Sequence, residues 1–267
     1  MEEHAQALEE AWTGPRQAFV PAPDTRIVEE PGLTYVLTPS VVASSFNEVW
    51  RVELSDEDAD AAIDRVIAAY RARGRASKWI VTDESRPRDL VARLEARGLV
   101  AWGARAMACE PSLAITTPPD VAVEPVDVAN EAEYCETLLA GFGQPDDATF
   151  AAVVARTRAC IAPRHRLYLA RIDGAPVGAA SWAALPRSAY LGGAAVAPAF
   201  RGRGVYRALV AARLADARAH GYGLATTQAR EATSAPILAR LGVRTLARFV
   251  VVGPPSTAPP RAAPPTA

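Results

Sequence analysis

Residues 47 to 109 and 190 to 252 carry the same succession of signals: strand, helix, strand, helix, strand. The second helix of each set even closes alike, on Leu94-Glu95-Ala96-Arg97-Gly98-Leu99 and on Leu238-Ala239-Arg240-Leu241-Gly242-Val243. An order of elements repeated inside one chain is an internal repeat, so the chain is constrained to two copies of one α/β unit. A length of 267 residues gives each copy enough chain for its own core.

In the first copy Trp50, Val52 and Leu54 alternate with Arg51 and Glu53, the pattern of a half-buried strand. Ser55 is placed to cap a helix with Asp58 three residues on, and Ile63, Val66, Ile67 and Tyr70 form its apolar stripe up to Gly74. A strand at 78–81, a helix at 88–97 and a strand at 101–109 follow, with an earlier strand at 33–37. Residues 1–25 read as a short helix and a proline-bearing extension, and Pro111 with Thr116-Thr117-Pro118-Pro119 reads as a linker. The divisions expected are an extension at 1–25, a first domain at 26–110, a linker at 111–120, a second domain at 121–253 and a disordered Pro/Ala tail at 254–267. Within the second domain the signals are a strand at 121–126, a helix at 129–139, a loop at 143–147 holding Asp146 and Asp147, and a helix at 148–160. Two strands at 167–172 and 177–182 then flank Asp173-Gly174-Ala175-Pro176, a hairpin signal, and the closing elements are strands at 190–196, 223–228 and 245–252 with a helix at 234–241.

The chemistry concentrates between the first strand and first helix of the second copy. Arg201-Gly202-Arg203-Gly204-Val205-Tyr206 leads into a helix with Tyr206, Leu209, Val210, Leu214 and Ala217 on one stripe and Arg207, Arg213 and Asp216 off it, ending before Gly221. Glycines let backbone approach a ligand, and a helix start offers unpaired N–H groups and a positive dipole end, so the segment reads as an anion cradle, set against a bland surface turn in a chain that uses Arg for nearly every cation. It lacks the Gly-Lys-Ser/Thr of a Walker loop and the glycine spacing and downstream acid of a dinucleotide fold. In that context it resembles the R/Q-x-x-G-x-G/A signature of the GNAT superfamily of acetyl-CoA-dependent N-acetyltransferases. Arg201 to Val205 match, whereas Tyr206 stands where the family has Gly or Ala.

The resemblance covers about residues 121 to 252. It implies an α/β (α+β) fold, a mixed, mostly antiparallel twisted sheet flanked by helices, present here as two tandem copies. The first copy has Asp56, Glu57 and Asp58 at the equivalent helix entrance, acids that satisfy the dipole and repel a pyrophosphate. It is therefore expected to be a degenerate copy that binds no coenzyme A.

The resemblance further implies acetyl transfer from acetyl-CoA to a primary amine by direct attack in a ternary complex. The expected cofactor-binding residues are Arg201, Gly202, Arg203, Gly204, Val205 and Tyr206 around the pyrophosphate, Ala194 and Val196 along the pantetheine arm with Gly192 and Gly193 allowing a splay, and Ser234. The tyrosine that many members carry four residues before the glycine closing the last helix is replaced by Leu238. The catalytic candidates are Tyr206, Glu231 and Tyr190, set against a core ring for Tyr206 and a first-turn acid for Glu231. The acceptor is expected to be a small-molecule amine, bound at the domain junction or under the Asp146–Asp147 loop. The other readings are acetylation of a protein N-terminus or lysine, and an inactive acyl-CoA-binding regulator.

Composition excludes several classes. The 29 basic and 30 acidic residues nearly cancel, so no nucleic-acid footprint is expected. Cys109, Cys135 and Cys160 are widely spaced, fitting reduced core thiols and not a metal site or disulfide framework. His220 reads as a helix-end residue, His165 as a strand-edge residue and His4 as terminal, while Trp50 and Trp182 read as packing residues. The acidic start and the lack of a long apolar run predict no signal peptide and no membrane span, the reduced thiols predict a cytoplasmic location, and with two copies in one chain a monomer or homodimer is expected.

Overall fold

The computed structural model describes residues 2–41, 44–143, 153–155, 157–158 and 164–255. The loop with Asp146 and Asp147, Cys160 and the tail from residue 256 lie outside the described residues, as does most of the helix expected over 148–160.

The first copy contributes β1 (Arg26–Glu30), β2 (Leu33–Leu37), β3 (Glu48–Val52), α2 (Asp56–Arg71), β4 (Lys78–Val81), α3 (Leu90–Glu95) and β5 (Val100–Cys109), preceded by α1 (Glu2–Gln17). Ser55 caps α2 as its sequence predicts: its Oγ accepts from the Asp58 N–H at 3.1 Å, and Ile63, Val66, Ile67 and Tyr70 are buried. The second copy comprises β6 (Ala122–Pro125), α4 (Glu131–Phe142), β7 (His165–Ile172), β8 (Ala175–Ala184), β9 (Ala189–Val196), α5 (Val205–Ala219), β10 (Ala225–Arg230), α6 (Ser234–Arg240) and β11 (Arg244–Gly253). The β7–β8 hairpin turns on Asp173 and Gly174 alone, both at positive φ (50° and 78°). That is the geometry of a two-residue primed turn, which matches strand twist.

The eleven strands among the described residues form one sheet in the order β1-β2-β3-β4-β11-β5-β10-β9-β8-β7-β6. The repeat is visible in the pairing. β3 runs parallel to β4 over Glu48↔Lys78 and Val49↔Trp79, and β9 runs parallel to β10 over Ala189↔Ala225 and Tyr190↔Thr226. At the centre the copies exchange their last strands. β11 inserts between β4 and β5, β5 inserts between β11 and β10, and all three contacts are antiparallel.

Alternation along the strands defines two faces. Tyr168, Ala170 and Ile172 of β7 pack with Leu209, Val210 and Leu214 of α5, whereas Leu167 and Leu169 pack with Tyr134 and Cys135 of α4. On β10, Ala225 and Ala229 join the α5 core, and Gln228 points the other way, donating to the Ala11 carbonyl of α1 at 3.1 Å. Helix α1 thus lies with α4 on the face opposite α5. Residues 111–120 are not a free linker, because Leu113 and Ile115 pack against the α5 core.

Candidate functional site

Gly202 and Gly204 adopt φ of 85° and 79°, and Gly204 is the residue at which α5 starts. Positive φ here turns the chain sharply into the helix, a conformation open to glycine at little cost. Among the described residues, no acceptor is hydrogen bonded to the backbone N–H groups of Gly202 to Arg207. A Cβ on Gly204 would collide with Pro118 of the preceding segment, whereas Gly202 faces open space. The loop is braced from both sides. Arg201 donates to the carbonyls of Val196 (3.2 Å) and Gly141 (2.9 Å), and Arg203 pairs with Asp120 at 3.0 Å above the Phe200 ring. The cradle therefore offers fixed N–H dipoles and two partly exposed guanidinium groups to an anion.

Beside the cradle the sheet opens. The β9–β10 ladder ends after Tyr190↔Thr226, and Thr227 Oγ1 closes the vertex by donating to the Leu191 carbonyl at 2.9 Å. On its other side β9 has a bulge: Ala180↔Ala194 is followed by Ser181↔Gly192, leaving Gly193 as the extra residue. The Ala197 N–H bonds to the Val177 carbonyl of β8 at 2.9 Å. Backbone groups alternate along an antiparallel strand, so Ala195 repeats that direction and Ala194 and Val196 turn theirs to the opening. These are the two residues expected along a pantetheine arm; the Val196 carbonyl already accepts from Arg201, and Gly141 of α4 lies close to the Val196 N–H.

Tyr190, Tyr206 and Glu231 are not gathered at one point. Tyr190 is buried at the vertex on the α1 face, against Gly14, with its phenol pushed well above the usual range by burial. Tyr206 packs against the α5 core near the Arg213 guanidinium, and burial raises its phenol as well. Glu231 stands over the central strands, where Oε1 accepts from Arg105 (2.8 Å) and Arg248 (3.2 Å). Ser234 opens α6 and accepts the Arg230 N–H at 3.0 Å. Leu238 is buried in the core, so the position of the usual tyrosine holds only an aliphatic side chain. Arg213 is the residue the sequence misplaces. It stands three residues after Val210 and four after Leu209, hence on the apolar stripe of α5 despite its charge, and it is 2% exposed, its fork reaching backbone carbonyls inside the core. Among the described residues no group of three or more His, Cys, Asp or Glu side chains is arranged to hold a metal. Nor is any helix long and apolar enough to cross a membrane.

The equivalent entrance in the first copy is built differently. Asp56, Glu57 and Asp58 fill the first turn of α2. The two helices are then clasped across the slot: Arg93 pairs with Asp60 (2.7 Å) and Asp56 (3.2 Å), and Arg97 with Asp64 (2.6 Å) and Asp60 (2.8 Å). No such bridges join α5 to α6 among the described residues.

Comparison with known proteins agrees with this architecture. Residues 131–242 match the acetyltransferase (GNAT) family, and this segment is a GNAT acetyltransferase domain. No curated protein matches the chain. Among solved structures, a functionally unknown conserved protein from Staphylococcus epidermidis superposes with a TM-score of 0.68 at 13% identity, over 90% of this chain and 96% of that one. A GCN5-related N-acetyltransferase from Kribbella flavida gives 0.60 at 21% identity, over 95% and 96%. A tandem GNAT protein from the clavulanic acid biosynthesis pathway gives 0.53 at 15% identity, over 91% and 86%. At such identities the likeness is one of fold, and it extends across both copies.

Proposed function

We propose that the chain transfers an acetyl group from acetyl-CoA to a primary amine of a small molecule, using its second copy. The carrying observation is the run of N–H groups at Gly202 to Arg207 without a protein acceptor among the described residues, next to the stretch of β9 at Ala194 and Val196 where the β9–β10 ladder has ended. The cradle and edge fit a pyrophosphate followed by an amide-bearing arm. In this reading the loop from Arg201 to Tyr206 holds the pyrophosphate, Ala194 and Val196 align the arm, and Ser234 stands at the opposite lip of the opening. Bound there, acetyl-CoA supplies a thioester that an amine attacks directly, the released thiol taking up one proton.

Of the three catalytic candidates, Tyr190 is best placed. Its hydroxyl stays protonated at neutral pH and lies at the vertex, so it can donate to charge developing there. Tyr206 serves packing, and Glu231 is held by two arginines. Helix α1 covers the face from which an acceptor must arrive, which favours a small amine over a protein terminus or lysine. The test is release of free thiol from acetyl-CoA across a panel of small primary amines. Turnover with one class supports the reading. Binding without turnover on any amine, or on peptides, would transfer the protein to the class of acyl-CoA-binding regulators.

A further inference from the structure

Arg213 sits on α5 beneath the point where β9 leaves the sheet. Its Nε donates to the Leu209 carbonyl at 3.0 Å, and its Nη1 donates to the carbonyls of both Ser181 and Gly192 at 3.1 Å. Ser181 and Gly192 are the register pair at one end of the β9 bulge, and Gly193, the extra residue, has nothing within 4 Å of where a Cβ would stand. Among the described residues this buried cation has no carboxylate partner. Taking a guanidinium out of water is costly, and the cost is offset here by carbonyl dipoles and by the neighbouring Tyr206 phenol, with no opposite charge beside it among the described residues. Burial accordingly weakens the hold of Arg213 on its proton, with the nearby phenols of Tyr206 and Tyr134 acting the other way. An aliphatic side chain would fill this part of the core without that cost. What it would not do is tie two carbonyls from adjacent strands to one point on the helix that carries the anion cradle.

We propose that Arg213 is a positioning residue: by gripping Ser181 and Gly192 it fixes the bulge at Gly193, and thereby the direction in which Ala194 and Val196 meet the pantetheine arm. The inference rests on the cofactor reading above. The planar fork links α5 rigidly to β9, so the cradle at one end of α5 and the strand edge keep a constant spacing. A ligand spanning both is sensitive to that spacing, and a ligand held by the cradle alone is not.

The experiment compares two probes by calorimetry on the full chain. Adenosine 3′-phosphate 5′-diphosphate carries the pyrophosphate without the arm, and acetyl-CoA carries both. In Arg213→Met the expected result is a loss of acetyl-CoA affinity of about tenfold or more with affinity for the nucleotide unchanged, and partial recovery in Arg213→Lys. Should the Met variant not fold, the Lys variant carries the same comparison, since an ammonium reaches a carbonyl but cannot reproduce the fork. Equal losses for both probes, or unchanged acetyl-CoA affinity in a folded variant, would overturn the proposal. Wild-type protein binding neither probe would overturn the cofactor reading itself, and this proposal with it.

Discussion

The backbone N–H of Arg86 donates to the carbonyl of Val52 at 2.8 Å, on the side of β3 that faces the split from β4. The Arg86 carbonyl in turn accepts from Leu54 N–H at 3.3 Å. Val52 and Leu54 thus turn their backbone groups to the split in the first copy, as Ala194 and Val196 do on β9 in the second. In the proposed reading the first copy places its own chain where the second copy would hold a pantetheine arm, beside the acids that open α2.

The first prediction follows from that contrast. Gly204→Asp puts a Cβ into Pro118, strains a residue at φ 79° and adds a negative charge at the cradle. Acetyl-CoA binding should vanish, with no residual site in calorimetry and with helix and sheet content retained. One remaining site would mean that the first copy binds cofactor.

Strand exchange predicts the second. Because β5 and β11 each lie inside the other copy's part of the sheet, neither half can close its sheet alone. Residues 1–110 and 111–267 expressed separately should be unfolded or aggregated, and expressed together they should assemble. The intact chain should unfold in urea in one transition. Two resolved transitions would contradict the exchange.

Helix α1 gives a case where local preference and packing oppose each other. Gly→Ala inside a helix ordinarily stabilises by about 1 kcal/mol. At Gly14 a Cβ would stand 2.5 Å from Cδ2 of the buried Tyr190 ring. Gly14→Ala should therefore destabilise, by ~1–3 kcal/mol in denaturant titration. A stabilised variant would show that α1 does not press on the vertex of the split.

Cys109 supplies a pH dependence. Burial pushes its thiol from 9.0 up to about 12. Below pH 9 both folded and unfolded chains carry the thiol, and its contribution is fully present. Between 9 and 12 only the unfolded chain ionises, so stability falls as pH rises, by up to ~1.4 kcal/mol per pH unit from this group. Cys109→Ala should flatten the profile in that window, measured by urea midpoints. An unchanged slope would mean that the thiol reaches solvent.

Much of this was legible from residues. Ser55 with Asp58, the stripe through Tyr70, and Asp173-Gly174 are local signals, and the structure honours each because nothing tertiary opposes them. The turn through Gly202 and Gly204 into α5 was legible for the same reason, since glycines before an amphipathic stripe are a local signal. The strand exchange was not. β5 and β11 are both apolar strands, and periodicity says which face a strand buries but not which neighbour it pairs with. Arg213 is kept off the predicted stripe by its charge alone, although a long fork among carbonyls can be buried. The roles of Tyr190 and Glu231 depended on what packs around them, and Gly14, Arg105 and Arg248 come from segments far away in the chain.

The most direct measurement is calorimetric titration of the purified chain with acetyl-CoA. The account predicts one site per chain, held by the second copy. No binding would reduce the Arg201–Tyr206 loop to a relic, and two sites would contradict the closure of the first copy.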